Sequence, residues 1–206
     1  MHASAFLEKS RDPRQWRKHA SALRRSADVL WEDFTEVLLT EVKRAAEASE
    51  DPSFLAAEEA FETTKLLYGL AFETALKAWI IEKHPEKFEI RVVLNGSGEA
   101  THAELRTVGV STSSGHNTLA LAEAAGLFDG TFAAVIRSPA DERALRNICR
   151  DLSEVVLWRG RYPVPLASAD PLRLDPKADP RAVADYIRDW LDPVLDMLLG
   201  QQGPTA

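Results

Sequence analysis

A chain of 206 residues with 45% hydrophobic and 28% charged side chains has enough apolar surface for one sizeable core. Its formal charge of −7 argues against non-specific coating of nucleic acid, which depends on Lys and Arg neutralising phosphates, but leaves room for a local basic site. The single cysteine, Cys149, excludes an internal disulfide, and no apolar run reaches the roughly 18 residues that a membrane span needs.

The N-terminal stretch MHASAFLEKSRDPRQW has no long apolar core and no cleavage pattern, so no signal peptide and a cytoplasmic location are expected. Residues 11–25, RDPRQWRKHASALRR, hold six Lys or Arg and one Asp. They suit the solvated face of an amphipathic helix or, alternatively, a phosphate-binding surface. Asp-Pro occurs at Asp12-Pro13, Asp51-Pro52 and Asp179-Pro180, and after each an apolar pattern of helical period begins. Asp can cap free N–H groups, and Pro fits the first helical position, where its missing N–H costs nothing.

Trp16, Ala20, Leu23, Ala27, Leu30, Phe34, Val37, Leu38 and Val42 step by three and four, which predicts a helix over about 13–48. A second helix is expected over about 52–83, stopping before Pro85. Its segment LLYGLAFETALKAWII, 66–81, is interrupted only by Glu73, Thr74 and Lys77, so it belongs at the centre of the fold. Glu73 and Lys77 are four apart and can pair on one face. They form either an internal salt bridge that fixes helix docking or one wall of a polar pocket.

Residues 88–115 break the helical pattern. Phe88, Ile90, Val92 and Leu94 alternate before the turn sequence NGSG, which suits a short β-ribbon or an irregular loop. GHNTLALAEAAG follows as a helix over about 117–125, with Asn117 as N-cap and Gly126 ending it. His116 stands at its mouth, placed either to move protons or merely to pack or cap. LFDGTFAAVIRS, 127–138, is expected to form a short helix.

The next helix, about 139–160, has the apolar stripe Leu145, Ile148, Leu152 and Val155/Val156. Arg143, Arg146, Asn147, Arg150 and Glu154 lie opposite, at 100° per residue. Cys149 reads as a packed thiol. Continued to residue 159, this helix aims Arg159 at the core, where a guanidinium needs an anion, and Glu73 is the candidate. Gly160, Pro163 and Pro165 stop the helix. Arg161 is then free to meet a ligand, with Trp158 and Tyr162 packing around the junction. After an irregular stretch, a last helix over about 180–199 is expected to bend at Pro193. The whole is an all-α bundle of five to six helices with one insertion at about 88–115. No metal-ligand spacing, Gly-rich phosphate loop or GxSxG elbow occurs, so neither metal nor cofactor is expected.

Three pieces in order, GLAFETALKAWI, GHNTLALAEAAGL and VVLWRGRYPVP, resemble an uncharacterised branch of the HEPN-like superfamily of bacterial all-α proteins. The resemblance spans about residues 60–165. Residues before 50 and after 170 are not covered by it, and together with the helical pattern there it implies a single helical domain over 1–206, with its core at about 13–165 and the 180–199 helix packed on it. It also implies a homodimer, and a role in defence or toxin–antitoxin systems with an antitoxin or effector protein as partner. Many such proteins are metal-independent ribonucleases that use Arg, four to six residues and then His late in the bundle. Here no His follows Arg143, Arg146, Arg150, Arg159 or Arg161. Arg14 and His19 have the spacing, but in the wrong helix. Two functions follow. The chain binds a partner without catalysis, or it acts on RNA or a nucleotide through a substitute set. In that set His116, Arg159 and Glu73 are catalytic, and Lys77, Arg161, Asn117 and Tyr162 bind.

Overall fold

The structure, a computed structural model, describes residues 2–159 and 180–200, and the side chains at 55, 56, 58, 59, 158, 159 and 180–187 lie outside that description. Among the described residues the chain is mainly helical. Six α-helices run in order: α1 Ala3–Arg11, α2 Pro13–Ala48, α3 Leu55–Lys83, α4 Thr118–Ala124, α5 Pro139–Glu154 and α6 Pro180–Leu199. Between α3 and α4 lies a small antiparallel sheet of β1 Phe88–Leu94, β2 Ala100–Val108 and the two-residue β3 Val110–Ser111, in the order β1-β2-β3.

Helices α2 and α3 pack along each other and carry most of the core. On α2 the buried residues are Ala20, Ala27, Trp31, Phe34, Leu38 and Ala45, which share one stripe. Trp31, Phe34, Phe61 and Tyr68 form a ring cluster between the two helices, with Phe34 stacked on Phe61 at 5.2 Å and Trp31 edge-on to Tyr68 at 6.3 Å. Beyond it, Ala71, Phe72, Ala75, Leu76, Ala78 and Ile80 are all fully buried, as the unbroken apolar run of α3 requires. α5 presents Leu145, Ile148, Cys149 and Leu152 to this core. α6 closes it with Leu191, Val194, Leu195 and Leu198, keeping Pro193 on its exposed side.

Local signals account for several boundaries. Asp12 caps α2 by accepting from the Arg14 N–H, and Pro13 is the first helical residue. Ser138 caps α5 and Asp141 answers it, a reciprocal pair at 2.7 Å. Asn117 caps α4, and Gly126, at φ 75°, ends it in a left-handed turn. There the Leu127 N–H reaches the Ala122 carbonyl at 2.9 Å. The alternation from Phe88 to Leu94 is β1, paired with β2 from Phe88↔Val108 onward through two register shifts.

Four expectations need correction. The residues before Asp12 form α1, which packs on β2, so Asp12-Pro13 ends one helix and starts another. Asp51-Pro52 does not start α3. The Ser53 N–H donates to Glu41 Oε1 at 2.7 Å and holds the link against α2, so the helix begins only at Leu55 without a side-chain cap. Residues 127–138 form turns rather than a helix. The left-handed Gly126 and the Asp129 carboxylate, which accepts from the Thr131 N–H at 3.0 Å, redirect the backbone while Leu127 and Phe132 stay buried. Lastly, α5 gives way at Val155 to a π-helical turn over Val155–Arg159. This wider winding advances each residue by less than 100°, so the α-helix expected to continue to about residue 160 ends at Glu154.

Candidate functional site

Glu73 and Lys77 stand one turn apart on α3, and Lys77 Nζ donates to Glu73 Oε1 at 2.5 Å. Glu73 is 5% exposed. Its second oxygen, Oε2, meets His116 Nδ1 at 2.9 Å, although the two residues are 43 apart in the chain. The His116 side chain remains 46% exposed. A carboxylate at the edge of the core is therefore bridged by an ammonium on one side and an imidazole on the other. In the neutral tautomer that donates Nδ1–H to Glu73, Nε2 carries the lone pair.

Three local devices bring His116 to Glu73. A 3-10 turn over Thr112–Ser114 ends β3 and directs the chain toward α3. Gly115 follows, where a Cβ would stand 3.2 Å from the Thr112 carbonyl oxygen and 3.6 Å from Lys77 Nζ. The residue before His116 thus has little room for a side chain. Then Thr118, fully buried, anchors the start of α4 on α5. Its N–H donates to Ser153 Oγ at 3.0 Å, and both hydroxyls converge on the Cys149 carbonyl. Sequence reasoning missed Thr118 and Ser153. Their signal was a hydroxyl pair on otherwise apolar helix faces, which needs partners once buried.

Of the proposed set, the fold gathers Glu73, Lys77 and His116. Asn117 is adjacent, but its Oδ1 is committed to capping, accepting from the Ala120 N–H at 3.0 Å. The Arg159 side chain, Arg161 and Tyr162 lie outside the described residues. Burial pushes the Cys149 thiol up to about 12, in keeping with a packed, unreactive cysteine.

Of the basic segment at 11–25, Arg17 and Arg24 are drawn into contacts between helices, while Arg11, Arg14, Lys18 and Arg25 are exposed. Arg14 pairs with Asp12 at 2.9 Å and Arg17 with Glu82. Arg24 reaches Asp192 at 3.2 Å and Asp196 at 2.5 Å on α6. Arg188 joins Asp192 at 3.1 Å and lies over the Trp31 ring at 4.9 Å. Tyr68 donates to Asp28 in the same cluster. Burial pushes both the Tyr68 phenol and the Asp192 carboxyl upward, and Arg24 and Arg188 pull Asp192 back. Arg17 and Arg24 thus serve helix docking.

Among the described residues, no three His, Cys, Asp or Glu side chains form a group that could hold a metal ion, and no helix is long and apolar enough to cross a membrane. The chain matches no family model, no curated protein and no solved structure.

Proposed function

We propose that the chain is an acid–base catalyst acting on RNA or a nucleotide, with His116 as the group that moves the proton. The observation that carries this is the 2.9 Å contact between buried Glu73 and half-exposed His116. A carboxylate on Nδ1 fixes the tautomer and the ring plane, which leaves Nε2 as a base of defined direction. Lys77 keeps the carboxylate in place. In RNA, such a base takes the proton of a ribose 2′-hydroxyl while that oxygen attacks the neighbouring phosphorus. The 5′-oxygen then leaves with a proton, and a cyclic phosphate remains. Arg159 and Arg161 complete the set on sequence grounds, as cations for the phosphate. The resemblance to HEPN-like ribonucleases supports the substrate class.

The test is incubation of the purified protein with total RNA, beside His116→Ala. Loss of cleavage by about 10²–10⁴-fold in the variant is the expected result for a removed acid–base group. Cleavage that survives the substitution belongs to a contaminant and sinks the proposal, as does an inert wild-type protein.

A second function is favoured by the exposed Val29, Leu39 and Val42 on α2. In it the chain is a non-catalytic component of a defence or toxin–antitoxin system and binds an antitoxin or effector protein. Inert wild-type protein would favour this alternative.

A further inference from the structure

Along its first half, α2 turns a line of cations outward. At 100° per residue Arg14, Lys18 and Arg25 fall within about 40° of one another, opposite buried Ala20, Ala27 and Trp31. All three are exposed, and they span about 17 Å along the helix axis. Arg11, exposed at the end of α1, stands three residues before Arg14. From residue 14 to residue 26 the exposed positions are Arg14, Gln15, Lys18, His19, Arg25 and Ser26, with no carboxylate and no apolar side chain among them. The second half of the same helix is the reverse, with Glu32, Asp33, Glu36 and Glu47 exposed.

Packing does not account for the line. Arg17 and Arg24, about 90° round the helix from it, are the cations that reach Glu82, the Leu198 carbonyl, Asp192 and Asp196. Among the described residues Lys18 and Arg25 make no ion pair, and the Arg14 side chain is 84% exposed although Asp12 holds it. Arg14 and Lys18 are four apart, where like charges repel. The first turn of a helix favours carboxylates, yet that of α2 holds Arg14 and no acid. The line therefore weakens the helix slightly by itself, and anions lying along it would reverse the effect.

We propose that this face of α2 holds a single strand of RNA by its phosphates. A row of separated cations on one convex helix matches a chain that carries a negative charge at every nucleotide. It offers no pocket for a base, so the contact positions the strand without reading its sequence. A lipid surface fits less well, because a helix lying on a membrane inserts apolar side chains from the same face, and the line has none. The choice of RNA rests on the function proposed above, but the surface contains no residue of the Glu73–His116 pair and holds the strand without cutting it.

Fluorescence anisotropy of a labelled oligouridylate tests this, titrated with the full chain carrying His116→Ala so that bound RNA stays intact. The RNA binds, and log affinity falls against log salt with a slope of about −2, as for roughly three phosphates on a single strand. Lys18→Glu with Arg25→Glu weakens binding at least about tenfold and flattens the slope. Lys43→Glu with Arg143→Glu changes net charge equally at exposed positions elsewhere and leaves affinity within about twofold. Circular dichroism should show an unchanged fold in both. No binding of the RNA overturns the proposal, and so does equal weakening by the two double variants. These outcomes are separate from the cleavage test. A chain that binds through α2 and does not cut keeps this surface and loses the proposed chemistry. A chain that cuts, with RNA affinity unmoved by Lys18→Glu and Arg25→Glu, does the reverse.

Discussion

Two charged clusters border the core, and they differ in how they end. Between α2, α3 and α6, Arg24 spans Asp192 and Asp196, Arg188 reaches Asp192 and lies 3.9 Å from Asp28, and Tyr68 donates to Asp28. Each charge there meets an opposite one within the cluster. Between α3 and the entry to α4, Glu73 takes Lys77 on one oxygen and His116 on the other, and the chain of contacts stops at a half-exposed imidazole. The closed cluster docks helices. The open one presents an ionisable group to whatever arrives from solvent. Charge pairing is common to both, so pairing alone does not mark a functional site, and the proposed function rests on the exposed end.

The sharpest way to break this contrast is to open the closed cluster. Arg24→Ala leaves Asp192 and Asp196 without their shared guanidinium, and a loss of about 3 kcal/mol in urea unfolding is expected. Activity per folded molecule should not change. His116→Ala should show the opposite profile. It removes one hydrogen bond at a half-exposed site, so unfolding shifts by only about 1 kcal/mol while the catalytic effect described above is large. If His116→Ala unfolds the protein as Arg24→Ala does, the two clusters are of one kind.

A smaller effect concerns a third, exposed pair. Arg44, then the Ser53 N–H, hold the Glu41 carboxyl down at about 2, from an ordinary value of 4.5. A depressed carboxyl stabilises the folded state above its unfolded pKa, and that contribution disappears as pH falls through the folded value. Wild type should therefore lose stability between about pH 4.5 and 2 more steeply than Glu41→Gln, measured by thermal unfolding across that range. The smallest expected signal is at Cys149, whose thiol is fully buried and pushed up to about 12. A disulfide reagent at pH 8 should label it only after denaturant is added.

Much of this architecture was legible because it is local. The spacing of Ala20, Ala27, Phe34 and Leu38 on α2, the apolar run of α3, the alternation of β1, the Asn117 cap and the stripe of α5 each follow from bonds and periodicities within a few residues, whereas the stripe read with Leu30 and Val42 missed buried Trp31 and included an exposed Val42. The Glu73–Lys77 pair was legible for the same reason, since four residues are one helical turn. Local reasoning failed where a distant contact overrode it. Glu41 reached across to Ser53 and cancelled the helix start at Pro52. The packing of Leu127 and Phe132 was met by turns and not by a helix. Nothing near Val155 in the sequence announced a π-helical turn.

The sequence by itself thus determined a mainly helical chain with one insertion that breaks the helical pattern, a central apolar helix with Glu73 and Lys77 one turn apart, and a histidine beside a helix cap. Only the tertiary structure decided that Glu73 meets His116 across 43 residues, that Thr118 is bolted to Ser153, and that Arg17 and Arg24 of the basic helix dock on α6. Hydrogen bonds within a helix or turn are set by neighbours in the chain. The partner of a buried charge is set by which faces the core brings together, because an unpaired charge there is too costly to leave alone.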